Sequence, residues 1–375
     1  MEPSDTSGDP TSMESPPAEK HAPPSAASST GRAARQPLSA GKKLLFSLLM
    51  ILVLFGSVEA FLTLLNLPPP VQPYSERPDI FWGLESNLDK KPFEHKELGV
   101  TFDVSTNSES LRYAEIPTGR QPETLRLLAL GDSTTFGWGV EQDKTWPARL
   151  EAMLQPLFPE VKLQVLNGGV PGYTSFQGLY HFKKHGALYQ PDLVLFSYIV
   201  QDARRTRITD KQQAIQALSA QYLQHHPLDS SRLFRLLRQR YKLFRAYERE
   251  QDNQEASQDP DATTRVPLDD YRENILTFEK LAQEKGTQLM LFGLPLEVVG
   301  YTKEHRELLA TLAQERKLPH FDPSSVIAEE ARQQTLYFPA DKGHPNADGC
   351  ERIATHLAEY LQSSGLIKQL IEKRR

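Results

Sequence analysis

The sequence predicts an α/β protein, a three-layer α/β/α domain on a parallel sheet, preceded by one transmembrane helix. Three observations carry this. Short apolar runs of strand length alternate with amphipathic helical stretches from Glu123 onward, the pattern of a parallel sheet covered by helices. The apolar run Leu125–Leu130 stops at a Gly131-Asp132-Ser133 turn. Finally, Leu44 to Leu67 is almost continuously apolar, matching the ~20 residues needed to cross a bilayer.

In chain order, residues 1–41 are rich in Pro, Ser, Ala and Thr without apolar periodicity. Such a composition buries too little surface to offset chain entropy and reads as a disordered cytoplasmic tail. Residues 42–67 form the signal-anchor, with 44–67 in the membrane. Lys42 and Lys43 precede it and Pro68-Pro69-Pro70 follow, so the positive-inside rule places the N-terminus in the cytoplasm and the rest outside. Glu59, near the outer end, is tolerated there by snorkelling. A cleaved signal peptide, cut at Val58-Glu59-Ala60, is the competing reading. The apolar run continues past that site, which favours the uncleaved anchor, and both readings export the domain.

Residues 68–122 read as a linker with short strands and no evident chemistry. The main domain spans 123–366, with strands expected at Leu125–Leu130, Lys162–Asn167, Leu193–Ile199 and Gln288–Phe292, and a weaker one near Leu318–Phe321. Helices are expected at Thr145–Leu154, Ser175–His185, Asp269–Lys285, Lys303–Arg316 and Ala347–Leu361. Residues 203–267 form a helical, flexible insertion with a disordered-looking centre from Glu250 to Thr264 and an arginine cluster at 232, 235, 238, 240 and 245. That cluster meets acidic polymer or phospholipid, or is a solvated face, the reading preferred. Residues 367–375 read as a C-terminal tail.

The net charge of −5, with no dominant basic cluster, gives no sign of nucleic-acid binding. A single cysteine, Cys350, excludes an internal disulfide framework and a cysteine zinc site; it reads as a small packing residue. His181 and His185 have helical i, i+4 spacing without a third ligand, so no metal site is assigned. Trp138 is either pocket lining or core.

In a doubly wound sheet, ligands bind beyond the carboxyl ends of the strands. Four segments fall there: Gly131-Asp132-Ser133, the glycine-rich Asn167 to Ser175 loop, Gln201-Asp202, and Asp341-Lys342-Gly343-His344. Ser133 by itself is either a helix cap or a nucleophile. Asp341 and His344, three residues apart, suit a carboxylate–imidazole pair that fixes the tautomer.

Taken together the four blocks resemble the SGNH/GDSL hydrolase superfamily over about Leu125 to Leu366, in its membrane-anchored bacterial form. A short Asn107-Ser108 to Leu111-Arg112 stretch before the first strand is similar to those anchored members. Thr134 departs from the name-giving leucine, and Gln201 stands where the third block has asparagine. The resemblance implies a flavodoxin-like fold and a serine esterase acting on O-acyl esters of glycans or lipids, without cofactor. It implies Ser133 as nucleophile, His344 as base, Asp341 as its partner, and an oxyanion hole of Ser133, Gly172 and Gln201. Glutamine keeps the carboxamide but is one methylene longer, leaving three outcomes open: compensation by the backbone, a slower site, or lost catalysis. Two rival functions follow, an O-acyltransferase on cell-envelope glycans and a catalytically impaired glycan-binding or scaffold protein. The expected location is a bacterial inner membrane, single-pass, with the domain periplasmic.

Overall fold

The computed structural model describes residues 39–67, 74–77, 81–96, 98–119, 121–183, 187–219, 227–259, 261–296 and 300–374. The tail expected over 1–41 lies almost wholly outside them. The chain divides into two units, Met1–Ser57 and Val58–Arg375. In the first unit, the helix Ala40–Leu64 begins; its 25 residues span roughly 37 Å at ~1.5 Å per residue, enough for a ~30 Å hydrocarbon core. Its leucines other than Leu62, which is buried, and Met50 and Phe55 are exposed, as an anchor requires.

The second unit is built on five parallel strands: β1 Thr124–Gly131, β2 Lys162–Asn167, β3 Leu193–Ser197, β4 Gln288–Phe292 and β5 His320–Phe321. Their spatial order is β2-β1-β3-β4-β5. Every residue of β1 and β3 is buried, which explains why both read as near-continuous apolar runs, broken in β1 only by buried Arg126, rather than alternating ones. Leu128, Leu130, Val194 and Phe196 point into one core with Tyr271, Ile275 and Phe278 of the helix Leu268–Glu284. Leu127, Ala129, Leu193 and Leu195 point into the other, with Leu150 of Trp146–Leu154 and Ile353 and Leu357 of Ala347–Ser363. The two faces of one sheet thus make two cores, and the α/β/α architecture follows.

Three sequence expectations need correction. The linker over 68–122 is largely integral to the domain: Phe102, Val104 and Leu111 are buried in the first core. Within it, Lys91–His95 and Val100–Val104 pair antiparallel. The tail over 367–375 is a helix, Leu366–Arg374, that buries Leu366, Ile367, Leu370 and Ile371 and ties Arg374 Nε to Asp192 at 2.7 Å. The insertion's centre is helical through Gln258, as Arg232–Gln258, and ends in a two-residue strand, Thr263–Thr264, paired with Arg205–Thr206.

Arg112 is the most consequential residue of the former linker. Its side chain is 1 % exposed and donates to the carbonyls of Phe136 and Gly137 (both 2.9 Å), Val140 (2.8 Å) and Asp103 (3.0 Å). It also lies over the Phe136 ring, 4.6 Å from its centre. Burial pulls its pKa down to about 10. This one guanidinium satisfies the carbonyls that leave the turn after Ser133. Replacing it with apolar Met (Arg112→Met) removes a donor from four carbonyls. Phe136 O keeps Asn167 Nδ2 and Gly137 O keeps Val140 N–H, so the cost falls mainly on the Val140 and Asp103 carbonyls at ~1–3 kcal/mol each. The expected result is a fall in melting temperature of about 5–10 °C, read by thermal denaturation.

Candidate active site

β1 and β3 are neighbours, with β2 on one flank and β4 on the other, so the crossovers leave β1 in opposite directions. This is the switch point at which an open parallel sheet keeps a crevice at its carboxyl edge. Ser133 begins a one-turn helix, Ser133–Phe136, directly after β1. Asp132 caps that turn, its Oδ1 accepting Thr134 N–H at 3.0 Å, the turn-ordering role its position suggested. Burial raises the Asp132 pKa to about 6.

Ser133 Oγ lies 2.7 Å from His344 Nε2. On the far side of the ring, Nδ1 is hydrogen-bonded to Asp341, and that bond holds the Asp341 carboxyl below its usual pKa. Asp341 also accepts Gly343 N–H at 2.8 Å, so the Asp-x-x-His segment is cross-braced on itself. The segment forms the strand Asp341–Pro345, paired antiparallel with Tyr337–Phe338, and precedes a helix capped by Asn346. Such a hydroxyl–imidazole–carboxylate chain can carry a proton from serine to histidine with the tautomer fixed.

The glycine-rich loop behaves differently from its sequence reading. A Cβ on Gly169 would sit 2.2 Å from Phe136 N, and one on Gly168 2.8 Å from a Leu130 methyl. Their close approach is to the protein's own serine-bearing turn, not to a ligand. Gly172 alone of this loop has a positive φ, +78°, the region glycine adopts without strain. Two side chains pin it. Trp82 Nε1 donates to Pro171 O at 3.0 Å, and because a trans peptide directs N–H opposite to C=O, this sets the direction of the Gly172 N–H. Arg265 Nη1 donates to Gly172 O at 2.9 Å.

Arg265 also reaches Gln201. Its Nη1 lies 3.2 Å from Gln201 Oε1, while Nε and Nη2 grip buried Asp210 at 3.0 and 2.9 Å. A guanidinium only donates, so the atom facing it must be the amide oxygen, and Nε2 is turned the other way. Among the described residues, neither Ser133 N–H, Gly172 N–H nor Gln201 Nε2 has a protein acceptor. Ser133, Gln201, Arg204, Tyr301, Asp341 and His344 line a cavity of about 550 Å³, with Tyr301 half exposed at its edge.

Asp202, beside Gln201, is fully buried and accepts Ser175 N–H at 2.9 Å. Burial raises its pKa to about 8 against the weaker opposing pull of Ser175. Trp138 packs against Phe93 at 5.0 Å between ring centres and lies 6.5 Å from His344; it packs on the first core and is not part of the cavity lining. Cys350 is buried. His181 is buried, and His185 lies outside the described residues. No group of three or more His, Cys, Asp or Glu poised for a metal occurs among the described residues.

Trp82, Arg112 and Arg265 are the residues that sequence reasoning missed or left without a role here. Arg112 alone carried a signal, through the Asn107 to Arg112 stretch. Arg265 is brought in by the pairing of Arg205–Thr206 with Thr263–Thr264, which no local pattern announces.

Residues 129–352 match the GDSL-like Lipase/Acylhydrolase family, more than half of the 375-residue chain. The chain belongs to that family and is an SGNH-type hydrolase acting on ester bonds. No curated protein matches it in sequence. Among solved structures, it is similar to a G-D-S-L family lipolytic protein of Desulfitobacterium hafniense, at 18 % identity over 63 % of this chain and 99 % of that one, with a TM-score of 0.41. It is also similar to the acetylxylan esterase Axe2 of Geobacillus stearothermophilus, at 16 % over 66 % and 96 %, TM-score 0.42. The hydrolase LAE5 from the Lake Arreo metagenome aligns at 15 % over 65 % and 96 %, TM-score 0.41.

The raised Asp202 pKa has a testable sign. A carboxyl at about 8 in the fold and 3.8 as a free side chain stabilises fully below pH 3.8, and that contribution is lost as pH rises towards 8. Asp202→Asn keeps an oxygen for Ser175 N–H and removes the titration. The variant should therefore gain on the parent between pH 5 and pH 8, at no more than about 1.4 kcal/mol per pH unit, read as the difference in melting temperature across that range.

Proposed function

We propose that the protein is a serine esterase in which Ser133, His344 and Asp341 carry the chemistry. Ser133 Oγ attacks the ester carbonyl carbon while His344 Nε2 takes its proton. The tetrahedral intermediate collapses, the C–O bond to the alcohol breaks, and His344 returns the proton to the leaving oxygen. Water, deprotonated by the same nitrogen, then attacks the acyl-serine and releases the acid. Asp341 holds His344 throughout and stabilises the imidazolium. The observation carrying this reading is the 2.7 Å contact of Ser133 Oγ with an imidazole whose other nitrogen is already paired with a carboxylate.

The oxyanion would be met by Ser133 N–H, Gly172 N–H and Gln201 Nε2. The extra methylene of glutamine has a structural counterpart: Arg265 takes its oxygen and so presents the nitrogen. This supports the compensated outcome over a lost catalytic function, with the compensation coming from a side chain. The substrate we propose is an O-acyl group on a cell-envelope glycan or lipid, because Arg204, Arg205 and Tyr301 at the cavity suit a polar scaffold bearing a modest acyl group. Lys42 and Lys43 in the first turn of the apolar helix support an inner-membrane anchor with the domain on the periplasmic side.

Fluorophosphonate labelling and turnover of short-chain nitrophenyl esters test the enzyme reading. Both are expected in the parent chain and absent in Ser133→Ala; labelling and turnover that persist in that variant overturn it. Gln201→Asn is expected to lower kcat by about 100-fold, the usual loss of one oxyanion donor, because the shorter amide cannot keep Arg265 and the oxyanion together. A large rise would instead mean that the native amide is badly placed.

A further inference from the structure

The helix Arg232–Gln258 has two halves of opposite character. From Ser231 to Ala246 the sequence holds Arg232, Arg235, Arg238, Arg240, Lys242 and Arg245 and no acidic residue. From Glu248 to Asp261 it holds six acidic residues and a single base, Arg249. The acidic half is engaged with the domain: Ala256 is fully buried, and Glu255 pairs with Arg207 at 2.9 Å.

The basic half is left with an apolar stripe. Leu237, Tyr241 and Phe244, spaced i, i+4, i+7 and so on one face, are 59 %, 64 % and 56 % exposed. At 100° per residue, Arg238 and Arg240 fall on either side of that stripe, where long guanidinium arms can reach a headgroup while their stems lie on hydrocarbon. This is the composition of a helix that lies in a bilayer interface.

Glu59 says what covers the stripe. It is the one acidic residue of the apolar helix Ala40–Leu64, and its carboxylate accepts Arg232 N–H and Leu233 N–H, both at 2.9 Å, together with the Ser231 hydroxyl. Arg232 Nη1 adds a bond to Leu67 O at 3.2 Å. The start of the basic helix is thereby fixed to the end of the apolar one. Glu59 lies five residues before Leu64, roughly 8 Å along the axis at ~1.5 Å per residue. Interfacial helices sink their apolar face by a similar ~5–10 Å.

We propose that the half Arg232–Arg245 docks on the lipid surface beside the anchor, with Leu237, Tyr241 and Phe244 in the acyl boundary and the flanking arginines on anionic headgroups. The occupant is an anionic bilayer, which the six positive charges complement. The insertion is then a second membrane contact that holds the catalytic domain against the bilayer instead of letting it swing on its anchor.

The test uses the full chain in vesicles of phosphatidylcholine with or without phosphatidylglycerol. L237C and Q239C are each labelled with an environment-sensitive NBD dye; native Cys350 is buried and stays unlabelled. Equal melting temperatures certify the fold of each variant. With phosphatidylglycerol present, the dye at 237 should be quenched by doxyl lipid and shielded about threefold or more from aqueous iodide relative to the dye at 239. R238E combined with R240E should abolish that difference while the anchor stays inserted. Equal iodide access at 237 and 239 overturns the proposal. So does shielding from both quenchers, which would mean a protein partner, and so does equal doxyl quenching with and without the anionic lipid.

Discussion

The constraint on which everything else rests is the order of the strands. Because β1 sits between β2 and β3, the polypeptide leaves its carboxyl end towards one face while the next crossover departs towards the other, and no helix can close the gap between them. Ser133 occupies the mouth of that gap. Its turn must be tight, and the tightness is enforced from three sides. Gly169 allows backbone to touch backbone at Phe136, Arg112 collects the outgoing carbonyls, and Ser197 Oγ bridges Leu130 O and Thr135 Oγ1. A serine hydroxyl held so firmly is preorganised, the property from which much of an enzyme's electrostatic advantage originates.

The second theme is buried charge used as a positioning device. Arg265 faces Asp210, whose side chain is 1 % exposed against 15 % for the arginine. Removing either partner alone would leave a charge with poor solvation, so the pair resists substitution even though it does not raise stability by much. What it supplies is direction: two carbonyl oxygens, one from Gly172 and one from the Gln201 side chain, are drawn to the same guanidinium. For Gln201 the nitrogen at the opposite end of the amide is aimed as a consequence. The Gly172 carbonyl instead belongs to the peptide of Tyr173, whose N–H goes to Val170 O at 3.1 Å, so the Gly172 N–H takes its direction from Trp82 on Pro171 O.

How much of this was legible from the chain depended on how local each cause was. The strands Lys162–Asn167 and Gln288–Phe292 coincide with their apolar runs because burial on both faces writes itself directly into composition. Asp341 and His344 were legible because three residues of spacing already bring them together. The helix Leu366–Arg374 was overlooked although Leu366, Ile367, Leu370 and Ile371 carry the i, i+1, i+4, i+5 pattern; nine residues flanked by charge look like a tail until a core is there to receive them. Trp82 and Arg265 were illegible for a deeper reason. Each acts across a gap of 64 or more residues, on a backbone group or amide whose orientation exists only after folding. Anchoring, too, was readable as length and hydropathy, but the use made of Glu59 was not.

The two-stranded pairing of Arg205–Thr206 with Thr263–Thr264 has an evolutionary reading. It works as a clasp that joins the two ends of the insertion at its root, with Gln201 just before it and Arg265 just after. Chain added or removed between Asp210, which holds Arg265, and Thr263 therefore changes what projects from the domain without moving either residue. Loop-closure entropy grows only slowly with length, so the clasp tolerates such changes cheaply. The insertion is in effect a socket, at which a lineage can exchange one appendage for another while the reaction centre is inherited intact.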